Sequence, residues 1–210
     1  MKKTIQLLKN FIREMLTNVM FNRFLTGLQP GGIAIDCGAN VGDITTKLAK
    51  TGIQVYAFEP NPFAFQKLQS RVTGYDNVTC FNKGVWDRNA TTQLYFHQEA
   101  EKDKEFWSFA SSIFSDKGNV DPKHSVDVEL VDLTEFIEKL DRSVDLLKID
   151  IEGAECEVLE KFLQKDLQNK VKLTLVETHD SKIPGLKEKT NRIRRTIQEK
   201  GVTNIKLSWL

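Results

Sequence analysis

The stretch VDLLKIDIEGAECEVL, residues 144–159, joins two features that are costly to combine. Its apolar run over 144–149 reads as a strand buried on both faces. It ends in a cluster of charge: Lys148, Asp150, Glu152, Glu155 and Glu157. Desolvating a carboxylate is expensive unless something pairs with it, so carboxylates here would meet a cation, a proton to be taken, or both. A later run, KVKLTLVETH, ends in Glu177 and His179, and an imidazole titrates close to neutral pH. Near the start, IDCGANVGD sets Asp36 ahead of Gly38 and Gly42.

The last of these motifs narrows the ligand. Glycines at a strand-to-helix turn let backbone approach a ligand and adopt positive φ. The spacing G-x-x-x-G after an Asp is neither the dinucleotide fingerprint nor a phosphate loop. No Lys is placed to meet a phosphate, and Asp36 and Asp43 would repel one. An ammonium or sulfonium would be welcomed by Asp36. Glu59 ends the next apolar run about 20 residues after the glycine turn, where an acid grips ribose hydroxyls. Alone, Glu59 reads equally as a solvated strand-end acid. Together these residues suit a nucleoside with a free ribose and a positive tail, and S-adenosylmethionine has both.

Positioning these groups at one edge requires strands that alternate with helices. Strands are expected at 33–38, 53–60 and 77–86, with helices at 41–52 and 61–74 between them. Pro62 stands in a favourable first turn and Gly74 at a helix stop. The alternation breaks at 91–97 and 125–131, which read as hairpin strands around an aromatic, irregular FWSFASSIF. It resumes with a short helix near Asp132, strands at 144–151 and 170–179, helices at 153–163 and 186–200, and a last strand at 204–210. Such alternation implies βαβ units, right-handed crossovers and a doubly wound, mostly parallel α/β sheet. We expect one domain over 31–210, with an insertion at about 88–131.

Composition sets the outer bounds. The chain has 210 residues, 40% of them hydrophobic, enough for one full core. Lys+Arg at 30 against Asp+Glu at 29 leaves no electrostatic footprint for nucleic acid. Cys37, Cys80 and Cys156 are spaced neither as a zinc site nor as a disulfide framework, and read as buried apolar residues in a reducing compartment. At the N-terminus, Ile5, Leu8, Ile12, Met15 and Val19 recur at helical spacing. Lys9, Arg13 and Glu14 interrupt the run, and no small-residue cleavage site follows. We expect residues 1–30 to contribute an amphipathic helix packed on the domain, not a signal peptide, a membrane span or a membrane-surface anchor, and we expect a cytoplasmic protein.

The stretches IDCGANVGDITTKLA, VYAFEPNPFAFQKL, NVTCFNKGVWD and VDLLKIDIEGAECEVL together resemble the FkbM family of S-adenosylmethionine-dependent methyltransferases. The resemblance runs from about Ile33 to Glu177, and its EPNP turn and KIDIEGAE stretch are specific. It implies the class I, Rossmann-like methyltransferase fold, with a seven-stranded sheet carrying one antiparallel strand near its end. It implies methyl transfer, usually to a hydroxyl oxygen of a sugar, glycan or other small molecule. It places Asp36, Gly38, Asn40 and Gly42 on the methionine and ribose side of the cofactor. Glu59 would take the ribose hydroxyls, Asn61 would stand near the adenosine, and Gly84 and Val85 would flank the adenine edge.

A neutral hydroxyl is a poor nucleophile, so a base should take its proton. Asp150, ending a central strand at the ligand edge, is the best base or acceptor-orienting acid. Lys148 lies on the same strand face two residues earlier, and could pair with Asp150 or hold a substrate oxygen. Glu152 and Glu177 could contact the acceptor, and His179 is the alternative base. Glu155 and Glu157 occupy a helix's first turn, where acids are favourable in any case. Trp107 and Ser112 belong to an acceptor lid, unless that segment is a satellite apolar cluster. No dedicated metal triplet is apparent and no metal is expected; Asp150, Glu177 and His179 are the set that would make an oxygen-rich divalent site. The competing functions are methyl transfer to RNA or protein, and a nucleotide-binding module without catalysis.

Overall fold

A computed structural model describes residues 21–22, 24–99, 111–113, 120–180 and 185–207. The amphipathic helix expected over the first residues therefore lies almost wholly outside the described chain, as does Trp107. The architecture grows from strands with no polar face. In β1 (Ile33–Cys37) every residue is buried, and in β7 (Val144–Ile149) all but Asp145 are. Strands covered on both faces belong inside a parallel sheet. β1 pairs with β7 on one side and with β2 (Gln54–Phe58) on the other. β3 (Val78–Phe81) follows β2, and β8 (Val171–Val176) and β9 (Ile205–Leu207) follow β7.

The resulting sheet has six strands in the order β3-β2-β1-β7-β8-β9, and every pair is parallel. The doubly wound α/β class is as expected. The count is six instead of seven, and among the described residues no antiparallel strand joins this sheet. The expected third strand over 77–86 divides in two. Asn82 turns its side-chain amide onto the carbonyls of Glu59 and Pro60, and beyond it Gly84–Trp86 forms β4, which leaves the main sheet and pairs with β6 (Val120–Asp132). β6 also pairs antiparallel with β5 (Ala90–His97) to complete a second, three-stranded sheet, β4-β6-β5.

Helices cover the main sheet. One layer is built on Ile35, Leu147, Ile149, Leu133, Val158 and Phe162, the other on Ala34, Leu48, Ile53, Val55 and Leu146. α1 (Asp43–Ala49) starts after Gly42 in the left-handed conformation. α2 (Pro62–Val72) is capped by Asn61, whose side-chain oxygen accepts from the backbone N–H of Phe63 and Ala64, with proline at the first position. α3 (Leu133–Lys139) is capped in the same way by Asp132. α4 (Glu155–Gln164) has no side-chain cap but carries Glu155 and Glu157 in its first turn. α5 (Leu186–Glu199) precedes β9. Among the described residues no helix is long and apolar enough to cross a membrane.

Candidate active site

Strand order reverses between β1 and β7, and ligands of such sheets bind at the carboxyl ends on either side of that reversal. A cleft of about 700 Å³, counted with its open mouth, lies there and takes lining from Gly38, Asn40, Glu59, Gly84, Asp150 and Glu152. On the β1–β2 side, backbone does most of the work. Gly38 has φ +79°, and a Cβ there would stand 1.8 Å from the carbonyl oxygen of Asp150. Only glycine lets the first turn pack against the end of β7. Its N–H and that of Ala39 both donate to the Phe58 carbonyl.

Glu59 is held by two of its own neighbours. Oε2 accepts from the Asn40 N–H at 2.8 Å and Oε1 from the Asn61 N–H at 2.8 Å. Burial pushes this carboxyl up to about 7, while the two backbone donors and Lys148 oppose the shift. Each oxygen keeps a further lone pair for a hydroxyl. A buried, bidentate-capable acid on a glycine-lined cleft suits the ribose and the cationic tail of S-adenosylmethionine, and Glu59, Gly38 and Asn40 would hold it.

Three of the expected cofactor residues do other work. Asp36 is fully buried and does not line the cleft. Its Oδ2 accepts from the Thr45 hydroxyl at 2.7 Å, and Oδ1 is 3.2 Å from Lys148 Nζ, an ion pair without aligned hydrogen-bond geometry. Asp36 and Lys148 are register partners on β1 and β7, which is why the charges meet. Gly42 is the left-handed cap of α1, and a Cβ there would crowd Leu68 of α2 at 2.8 Å. Asn61 is buried as the α2 cap, with its amide donating to Ser111 Oγ at 3.1 Å. Gly84 and Val85 do line the cleft, from β4 instead of the end of β3.

Lys148 is also buried. Nζ donates to the Gly38 carbonyl at 2.7 Å and lies 3.5 Å from Asp150 Oδ2. Burial opposes its charge, yet Asp36 and Asp150 raise its pKa above the ordinary lysine range. It is therefore a fixed cation beneath Asp150 that ties β7 to the glycine turn. It does not line the cleft, so it is not placed to hold a substrate oxygen.

At the end of β7 and β8 the residues are charged and crowded. Asp150 and Glu152 are partly open, with side chains 24% and 21% exposed. Burial raises the Asp150 carboxyl above its ordinary range, opposed by Lys148 and reinforced by Glu152. His179 is 1% exposed. Its Nδ1 lies 2.7 Å from Glu155 Oε1, and its Nε2 lies 3.3 Å from Glu152 Oε2 and 3.8 Å from Asp150 Oδ1. Both ring nitrogens face carboxylates. Burial alone would lower this imidazole, but its bonds to Glu152 and Glu155 push it up to about 10. Buried and absent from the cleft lining, with both nitrogens turned to carboxylates, His179 is less well placed than Asp150 to reach an acceptor.

Glu177 Oε1 is 3.9 Å from His179 Nε2 and does not line the cleft. Ser112 does, and its hydroxyl donates to the Glu152 carbonyl at 3.0 Å, so the short described piece 111–113 is fastened to the end of β7. The residue the motif reading undervalued is Glu155: a first-turn acid by sequence, a buried partner of His179 in the fold. Asp150, Glu152 and His179 bring one potential metal-ligating atom each within 4.8 Å of one another.

A family model described as "Methyltransferase FkbM domain" matches residues 36–202. The chain is 28% identical over 196 residues to the "31-O-demethyl-FK506 methyltransferase FkbM" of Streptomyces tacrolimicus, covering 80% of this chain and 73% of that protein. It is 37% identical over 83 residues to the "Ribosomal RNA small subunit methyltransferase A" of Bacillus cytotoxicus, covering 39% of this chain and 27% of that protein. Among solved structures, the precorrin-6y C5,15-methyltransferase of Geobacter metallireducens matches with a TM-score of 0.44 and 13% identity, over 85% of this chain and 68% of that one.

Proposed function

The chain belongs to the FkbM methyltransferase family and uses S-adenosylmethionine, and from that premise we propose that it methylates a hydroxyl oxygen of a sugar, a glycan or another small molecule. One observation carries the reading. The cleft lining, among the described residues, contains three carboxylates, Glu59, Asp150 and Glu152, and no Lys, Arg or His. Such a mouth disfavours a phosphate backbone, whose binding draws on Lys and Arg, and suits a neutral acceptor with protons to give. The Streptomyces relative carries an oxygen-directed reaction in its name, which supports the same class.

The cofactor supplies an activated methyl group. The protein's part is to hold the acceptor in line with that methyl, since alignment provides much of the rate in such transfers. Asp150 projects from the end of β7 into the cleft, backed by Lys148. It accepts the acceptor's O–H and takes its proton as the oxygen is methylated. Lys148 keeps Asp150 in place, and Glu152 and Ser112 border the acceptor. Glu59 and the Gly38–Asn40 backbone serve the cofactor. RNA methylation is the competing reading, favoured by the 83-residue similarity to the ribosomal RNA enzyme. Incubation with methyl-labelled S-adenosylmethionine and a panel of polyols, glycosides, other small alcohols and RNA transcripts separates the two. Label on an alcohol oxygen supports the proposal, and label on RNA alone overturns it.

A further inference from the structure

Two adjacent serines tie the two ends of the cleft together. Ser111 and Ser112 are both buried, and both line the cleft. Their backbone is fixed on β5, the outer strand of the second sheet. The Ser112 N–H donates to the Tyr95 carbonyl at 3.0 Å, and the Tyr95 N–H donates to the Ser112 carbonyl at 2.8 Å. Backbone bridged in this way is extended, and there successive side chains point in opposite directions. The two hydroxyls accordingly reach different turns. Ser112 Oγ donates to the Glu152 carbonyl, beyond β7, at 3.0 Å. Ser111 Oγ accepts from Asn61 Nδ2, beyond β2, at 3.1 Å. β1 stands between those two strands, which places them about 10 Å apart.

Asn61 passes the Ser111 contact on to the cofactor side. It is 1% exposed. Its Oδ1 accepts from the Phe63 and Ala64 N–H groups at the start of α2, and its backbone N–H donates to Glu59 Oε1. That N–H and the one from Asn40 are the two donors that hold the Glu59 carboxylate. Without the Ser111 hydroxyl, the Asn61 amide would be buried and lack this acceptor, which is a costly state. Asn61 could relieve it only by turning, at the expense of the α2 cap and of the N–H aimed at Glu59. Lys148 from β7 and Asp36 from β1 also act on Glu59, and a change at Ser111 leaves both in place. Two N–H donors orient an acid and favour its ionised form. Loosening one spoils the aim and raises the pH at which the acid ionises.

We propose that Ser111 is a positioning residue for the cofactor: through Asn61 it sets Glu59 for the ribose, while Ser112 anchors the same segment at the acceptor end. The proposal rests on the assignment of Glu59 to the cofactor made above, and is independent of what the acceptor is. It puts a determinant of S-adenosylmethionine affinity on the second sheet, 50 residues along the chain from the turn it acts on.

The probe is S-adenosylmethionine, titrated calorimetrically into the purified full chain over a series of pH values around neutrality, with no acceptor present. Ser111→Ala should weaken binding by about 3–10-fold at neutral pH, the range for one lost hydrogen bond. Its rise of affinity with pH should also shift to higher pH than in wild type. Ser111→Thr, which keeps the hydroxyl, should restore both. Ser125→Ala removes a serine hydroxyl that bonds to Gln93 in the same sheet, and should match wild type in both. Thermal melts identify any variant that has lost its fold. A folded Ser111→Ala chain with wild-type affinity and a wild-type pH profile overturns the proposal. So does weakened binding with an unmoved profile, which is what a merely structural role would give. Glu59→Gln, run in parallel, tells the two readings apart. If it binds as wild type does, the assignment of Glu59 to the cofactor fails and the proposal with it. If it binds weakly while Ser111→Ala is unchanged, that assignment stands and the positioning role is wrong.

Discussion

The two sides of the strand-order reversal handle charge in opposite ways. On the β1–β2 side each buried carboxylate is met by partners within the fold, one of them a lysine that reaches over from β7. Asp36 has Thr45 and Lys148, and Glu59 has the N–H groups of Asn40 and Asn61. On the β7–β8 side, Asp150, Glu152, Glu155 and Glu177 crowd one imidazole. A region whose polar groups satisfy one another is a rigid seat. A region where several carboxylates converge on one ring shifts the titration of its groups, and strongly perturbed groups gather at functional sites. In the proposed function the first side seats the cofactor and the second is the reacting end.

The comparison breaks most severely at Gly38, which belongs to both sides. Gly38→Ala places a methyl 1.8 Å from the Asp150 carbonyl oxygen at φ +79°. Backbone cannot yield cheaply, so we expect a loss of about 3 kcal/mol or more in denaturant unfolding. Next is the ion pair beneath the site. Lys148→Met leaves Asp36 buried without its cation, which should cost about 3–5 kcal/mol, whereas the double variant Asp36→Asn with Lys148→Met should recover much of that loss. A single variant as stable as wild type would show that the pair is not what joins the two sides.

Smaller effects sharpen the contrast. Glu59→Gln should weaken S-adenosylmethionine binding by about 1–3 kcal/mol in calorimetric titration. Because burial lifts the Glu59 carboxyl from its ordinary 4.5 to about 7, wild-type affinity should climb between pH 6 and 8 as the group ionises, and the Gln variant should stay flat. The same shift has a stability consequence of fixed sign. The folded chain holds the Glu59 proton more tightly than the unfolded chain, so that contribution is complete below pH 4.5 and lost as pH rises through about 7. Ser112→Ala, which removes one hydrogen bond to the Glu152 carbonyl, should change stability by only about 0.5–1.5 kcal/mol and raise the acceptor's KM with little effect on cofactor affinity.

How much of this was legible in the sequence varies with how local the cause is. The apolar runs of β1 and β7 announce a doubly wound sheet because burial on both faces removes the polar alternation. The glycine turn and Glu59 are legible because their jobs depend on short spacing. The break between β3 and β4 is not, because Asn82 ends the strand through carbonyls more than twenty residues back. β6 runs back to Val120 through Asp121, Pro122 and Lys123, residues that argue against a strand unless it lies in an open ribbon. Asn61 and Gly42 fit a cap and a ligand contact equally well on paper, and the fold uses them as caps. Glu155 reads as an ordinary first-turn acid, since its partner His179 lies 24 residues on and meets it only after β8 is in place.

The central claim is that Asp150, not His179, acts on a hydroxyl acceptor. It is tested most directly by single-turnover methyl transfer to the best alcohol acceptor with Asp150→Asn at saturating S-adenosylmethionine. The account predicts a folded variant that binds the cofactor within a few-fold of wild type and transfers methyl about 10²–10⁴-fold more slowly, the range for losing a general base. Transfer at the wild-type rate by a folded, cofactor-loaded Asp150→Asn variant would contradict it.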